Sequence, residues 1–470
     1  MTTASPPALT IAQEKVDFFP ANRVTDDRSI LTLKALVMEP LCMWRDGRIF
    51  PALFARWECD AQGTVWHFHL RPDAVFHDGH RCTAMDVVAF IDAICTSVDM
   101  FGMKWSYARY FADVHFDALS DDTLRVTTAR PMGDLPEIFT EFYLSRQDAH
   151  ARAVIGTGRY RVTQFTPGVS ATLHPAVVGT EPELTFFAVP KAEDRLERLR
   201  TGRIDLACQM DCLEDVSDLT PDVQWLGATH CLSVMAYLNC SRGLFRSAEA
   251  RLAANLAIDN AALCREIYDG LAIPAATIVS PYHNGFAEAG ITPLPYDPDA
   301  ARALLAPLGF TGEVVLRTPT FMPEHAPKIA GFIKRALEDL GLDVRIDTAT
   351  DRPGYAREIG NKAMGDIAIF DSSPHSTFRV LNDKISRESH GVWWQGFDDD
   401  AVETLIARAN ETIDPTARAA AYGACLAHLR EAPPWLYLAH PKTLVATRPG
   451  LHGIGLDHKG ILHLEPEHRT

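Results

Sequence analysis

Positive charge is scarce in this chain of 470 residues: 45 lysines and arginines stand against 61 aspartates and glutamates, a net charge of −16. No basic run offsets that balance locally, so neither nucleic acid nor an anionic membrane surface is expected as a partner. Apolar runs of membrane-spanning length are missing too, which argues against a helical membrane protein. The opening residues, "MTTASPPALTIAQEKVDFFPAN", contain neither a basic stretch nor an apolar one, so no signal peptide is expected in the sequence. The ten cysteines include no C-x-x-C, and "CQMDC" (Cys208 to Cys212) is the one close pair. That spacing disfavours a disulfide framework and points to buried thiols, as in a reducing compartment.

Catalytic signatures are equally absent. There is no P-loop, no H-E-x-x-H, no nucleophile elbow and no G-x-G-x-x-G opening a helix. "GTGRY" has two glycines but precedes a strand pattern, so it offers no phosphate cradle at a helix start. The chain is therefore not expected to be an enzyme, and no catalytic residue, cofactor or bound metal is assigned.

What is present reads as an ordinary globular chain, 47% hydrophobic and 23% charged, long enough for two or three domains. Five histidine and cysteine side chains crowd into His67, His69, His77, His80 and Cys82. Alternation in "VWHFHLR" sets Trp66, Phe68 and Leu70 on one face and His67 and His69 on the other, the pattern of a half-buried strand. Asp78-Gly79 then supplies a turn, and Thr83 caps a helix whose Val87, Phe90, Ile91 and Ile94 share one stripe. Strand, turn and capped helix are scaffold rather than a metal centre.

Between Tyr296 and Asp371 the pattern is α/β. Asp297 caps a helix with Pro298 in its first position. "GEVVLRT", "LDVRIDT" and "DIAIFDS" are strands separated by helices, which implies a mainly parallel sheet. The N-terminal half is mixed, with short alternating runs such as "DTLRVTTA" and "GRYRVTQF".

Several segments, taken in order, resemble the family 5 extracellular solute-binding proteins, the peptide- and nickel-type receptors of ABC importers. They are "EPLCMWRDGRIFPALFARWEC", "WHFHLRPDAVFHDGHRCTAMDVV", "GTGRYRVTQFTPG", "LRTGRIDLA", "ANLAIDNAALCREIYDGLAIPA" and "YDPDAARALLAPLGF". Arg159 stands where the family commonly has proline. The resemblance implies a two-lobed α/β periplasmic-binding-protein-like fold with a hinge and an extra N-terminal subdomain. Lobe I would be residues 1–238 and 441–470, with the inserted subdomain at about 45–155, and lobe II would be 239–440. The expected function is capture of a peptide, an opine-like solute or another polar carboxylate-bearing solute, by closure of two lobes around it. The partners implied are that ligand and a membrane permease, the receptor being a monomer in the periplasm. Two alternatives stand beside it: a metal-chelate (nickel-type) receptor, and a cytosolic ligand sensor on the same fold.

The same resemblance nominates the contacts. Lobe I offers Trp105, Arg109 and Arg146, the arginines as clamps for a carboxylate. Lobe II offers Asp371 for an amine, at the C-terminal end of a strand where ligands of α/β sheets collect. Arg379, His390, Trp393 and Trp394 complete the set, with His390 the residue a nickel chelate would use. Two adjacent tryptophans on an extended chain cannot both point inward, so one of Trp393 and Trp394 is expected to face the ligand. Thiol titration of the denatured, unreduced protein checks the cysteine reading: most of the ten should react, and finding most of them blocked would reverse it.

Overall fold

A computed structural model describes residues 7–19, 25, 27–98, 102–146, 154–177, 179, 181–213 and 219–464. Residues 1–6, where the start of the chain was read, lie outside that set. The chain forms two compact units, Met1–Ala228 with Thr443–Thr470, and Thr229–Lys442. No helix among the described residues is long and apolar enough to cross a membrane.

In the first unit a sheet runs in the order Tyr160–Thr166, Ser170–Pro175, Leu184–Ala188, Leu9–Gln13 and Leu206–Ala207. The last of these pairs with Ala446 and Thr447, at the end of the long strand Trp435–Thr447. The helix Arg28–Val37 covers it, burying Leu33, Leu36 and Val37 in a core shared with Ile11, Leu173 and Phe186. A separate antiparallel sheet orders Phe54–Cys59, Val65–Leu70, Thr123–Thr128 and Val114–Ala118. Trp66, Phe68 and Leu70 are buried there, and His67 and His69 are half-exposed. His69 sits 3.5 Å from Glu58 and 3.3 Å from the Thr123 hydroxyl. No group of three or more metal-ligating side chains occurs among the described residues.

The turn and cap read from sequence lock this piece in place. Thr83 accepts from the Asp86 amide while the Asp86 carboxylate accepts from the Thr83 amide, a reciprocal capping box. His77 donates from its amide to the Gly156 carbonyl at 2.9 Å and from Nε2 to the Gly158 carbonyl at 2.8 Å. Both glycines lie on the end of the Arg28–Val37 helix, so close that a Cβ on Gly156 would fall 2.1 Å from the Val37 carbonyl oxygen. "FHDGH" and "GTG" are thus two halves of one joint.

In the second unit Ser233–Leu238 lies antiparallel to Ile367–Ser372, which runs parallel to Glu313–Pro319, itself parallel to Asp343–Ala349. The other edge of Ser233–Leu238 pairs antiparallel with the start of Trp435–Thr447, and Ala272–Pro274 adds to that strand. The three strands read between Tyr296 and Asp371 are thus mutually parallel, and Ser233–Leu238 joins them antiparallel. Ser233–Leu238 belongs wholly to the second unit, although the sequence reading assigned residues up to 238 to lobe I. Its pairing on both edges with strands of the second unit explains the difference. Asp297 caps Pro298–Leu305 as read. The helix Ala326–Glu338 buries Ile329, Ile333 and Leu337 against the parallel strands.

All ten cysteines are free thiols. Burial pushes Cys208 and Cys425 up to about 12, which keeps them protonated and unreactive while the protein is folded.

Two buried histidines set an acid limit. The His283 Nε2 donates to the Pro374 carbonyl at 2.9 Å, so Nδ1 accepts from the Ser280 hydroxyl and the ring is neutral. His440 is fully buried with Nδ1 on the Leu232 carbonyl. Burial lowers both to about 4. An unfolded histidine protonates near 6.5, so stability should fall from about pH 6.5 downward, until the folded rings protonate near 4. The loss is about 2 kcal/mol per ring by pH 5. Urea unfolding at pH 7 and pH 5 checks this: His440→Gln should show a smaller pH dependence than the native chain, and an equal dependence would refute it.

Candidate functional site

The candidates of the first unit do not all stand together. Trp105 and Arg109 share the short segment around the single-turn helix Tyr107–Tyr110. Trp105 stacks on Tyr107 at 5.8 Å, and the Arg109 guanidinium lies 5.1 Å above the Tyr110 ring. Tyr107 is the fixed point: it is fully buried, donates its hydroxyl to Glu141 and packs edge-on to Phe142 at 4.9 Å. Trp105 and Arg109 are thereby presented half-exposed from a rigid base. Arg146 has other employment. Its guanidinium lies 5.6 Å over Phe76 and 3.7 Å from Asp78, beside the His77 joint. Its side chain remains partly exposed.

In the second unit the candidates gather at the C-terminal end of Ile367–Ser372. Asp371 is half-buried, and the buried Lys384 ammonium donates to its main-chain carbonyl at 3.3 Å. Phe370 precedes it and carries the Trp393 ring at 5.1 Å and the Arg352 guanidinium at 4.6 Å. Successive strand residues face opposite sides of a sheet, so Asp371 points to the Val234 side and Phe370, with Trp393, to the Tyr237 side. The negative charge of Asp371 still reaches that second side. Burial foremost, with Asp371 next, holds the Tyr237 phenol well above its usual range.

Arg379, nominated as a ligand contact, is buried. It is 5% exposed, and its Nε lies 3.8 Å from the Asp383 carboxylate one turn on. Asp383 sits in a π-helical turn, Leu381–Ile385, that also buries Asn382 and Lys384. Such widened turns are frequent at functional sites. His390 is exposed, with a left-handed φ of 47°.

The two tryptophans differ in their contacts. Trp394 donates from its indole to the Phe397 carbonyl at 2.7 Å, within its own loop. Trp393 lies half-exposed on Phe370. The residues that sequence reasoning missed here are Phe370, Arg352 and Lys384. A strand-end aromatic and a helix-start arginine carry no local signal, because their role depends on what packs over them.

The fold agrees with what comparison finds. The sequence model of the bacterial extracellular solute-binding proteins, family 5 (middle region), matches residues 48–379. The chain belongs to that family. Among curated family 5 relatives, the nickel-binding periplasmic protein of Escherichia coli K12 is 24% identical, over 90% of this chain and 87% of its own length. Of the solved structures, HbpA2 from Haemophilus parasuis superposes with a TM-score of 0.81 at 17% identity, covering 98% of this chain and 99% of that one. The periplasmic binding protein DppA from Helicobacter pylori, in complex with the peptide STSA, gives 0.76 at 21% identity, with 98% of each chain covered. At such identities these structural likenesses establish the fold and not a ligand.

Gly391 is the joint of the tryptophan loop. A Cβ there would lie 2.1 Å from the Asp383 carbonyl oxygen, with backbone on both sides of the overlap. Gly391→Ala should cost about 1–3 kcal/mol or more, since neither backbone can yield without moving the loop. A melting temperature equal to that of the native chain would refute this close approach.

Proposed function

We propose that this family 5 protein is the periplasmic solute receptor of an ABC importer, and that its solute is a peptide or opine-like zwitterion carrying a carboxylate. The observation that carries this reading is Asp371, a half-buried carboxylate at the C-terminal end of a strand with a parallel neighbour. An ammonium group on the solute is its natural partner. Trp393 on Phe370 is proposed as the apolar wall on the other face of the same strand end. Trp105 and Arg109 are proposed to contribute an aromatic face and a cation for the solute's carboxylate, with Arg146 a weaker clamp because Asp78 already neutralises part of its charge.

A second reading is a nickel-chelate receptor. It draws on the exposed His390 and on the nickel-binding relative. In this reading His390 supplies an imidazole to a metal that arrives already chelated. The cytosolic sensor remains the third possibility, and its support is the set of ten free thiols.

The test is a thermal-shift series with the peptide Ser-Thr-Ser-Ala and related peptides, opines, and nickel(II) with L-histidine, followed by calorimetry on variants. A solute at 100 times its dissociation constant should stabilise the fold by about 2.7 kcal/mol. With a peptide or opine that binds, Asp371→Asn should weaken affinity by about one to two orders of magnitude, the value of a charge-assisted hydrogen bond. Native affinity in Asp371→Asn would sink the amine site. Loss of nickel–histidine binding in His390→Ala alone would establish the second reading instead.

A further inference from the structure

The helix Arg352–Gly360 ends in a motif that ordinarily calls for glycine. The Lys362 amide donates to the Ile359 carbonyl at 3.0 Å, and the Ala363 amide to the Glu358 carbonyl at 2.8 Å. These are the paired bonds of a Schellman termination, with Lys362 at the left-handed position, φ 67°. A Cβ strains that conformation, and glycine is the usual occupant. Lysine at that position therefore carries a local backbone cost.

What it does is visible at its far end. The Lys362 ammonium donates to the Val392 carbonyl at 2.6 Å and to the Trp394 carbonyl, and it lies 6.0 Å from the Trp394 ring. Those two carbonyls bracket Trp393. No other hydrogen bond to either of them is present among the described residues, and no carboxylate pairs with Lys362 there. The rest of the loop is pinned at its ends rather than its middle. Gly391 lies against the Asp383 backbone, Gln395 donates to the Ile359 carbonyl at 3.0 Å, and Gly396 turns against Ser241.

We infer that Lys362 is a positioning residue: its ammonium, held over the loop from a strained helix end, fixes the backbone on both sides of Trp393 and so aims that indole onto Phe370. For the bound solute this rests on the reading that Trp393 meets it. For the loop itself it rests only on the contacts above.

The strain makes the inference separable from general stability. Lys362→Gly removes the strain and the ammonium together, Lys362→Met removes only the ammonium, and Lys362→Arg keeps a cation of similar reach. Fluorine NMR of the 5-fluorotryptophan protein reads the outcome without any solute, the Trp393 resonance being assigned with Trp393→Phe. Lys362→Gly should melt at or above the native temperature, yet shift or broaden the Trp393 resonance by more than its linewidth. Lys362→Met should do the same to the resonance, and Lys362→Arg should restore it. A native Trp393 resonance in Lys362→Gly would overturn the inference, even if Lys362→Met proved too unstable to measure. A chain that binds none of the peptides, opines or nickel–histidine would overturn the proposed function and leave the latch standing.

Discussion

Everything placed at the candidate site of the second unit hangs on how Ile367–Ser372 is held. Its one edge pairs antiparallel with Ser233–Leu238 from Ser372 back to Ile367, and its other edge is parallel to Glu313–Pro319. Side chains alternate along a strand, so a slip of one residue would exchange the faces of Phe370 and Asp371. Phe370 would leave Tyr237, Tyr355, Trp393 and Arg352, and a carboxylate would enter that aromatic packing in its place. The register is therefore costly to change, and it puts an aromatic wall and an acid on two sides of one strand end.

The chain that follows this strand keeps charge where a core would avoid it. Arg379, Asp383 and Lys384 are each about 5% exposed. Removing ions from water is expensive, and a buried pair seldom returns more than it costs relative to apolar packing. Arg379 faces Asp383, and Lys384 reaches the Asp371 carbonyl, so the buried charges hold the turn that leads from the strand to the tryptophan loop. The π-helical turn serves the same end, because its wider coil lets Gly391 lie against the Asp383 backbone.

Sequence made the scaffold legible and the site only partly so. Thr83 and Asp297 both cap the helices they were read to cap, since a cap needs one side-chain oxygen next to free amides and its signal is local. The His77 turn and the "GTG" pair were legible as motifs, but not their contact, which joins residues far apart in the chain. Among the site candidates, alternation and periodicity could say that Asp371 ends a strand. They could not say that Arg379 is buried, that Arg146 is tied to Asp78, or that Trp394 satisfies its indole inside its own loop. Each of those depends on a partner from another element. Lys362 was invisible for a further reason: as a helix-end lysine it looks like ordinary solvated charge, and only its left-handed backbone marks it out.

That division also accounts for how a chain at 17–24% identity to its relatives can keep their fold over nearly its whole length. The positions that must be one particular residue are few, and they are backbone problems. Gly156 and Gly158 admit no side chain against Val37, Asp78-Gly79 makes a turn that His77 then seals, and Gly391 admits none against Asp383. Elsewhere an apolar residue of suitable size suffices, so identity decays without loss of the fold. Side chains that pack on a base from outside need only that base to be rigid, as Trp105 stacks on Tyr107 and Trp393 on Phe370, so their identity can change while the ladder beneath stays the same.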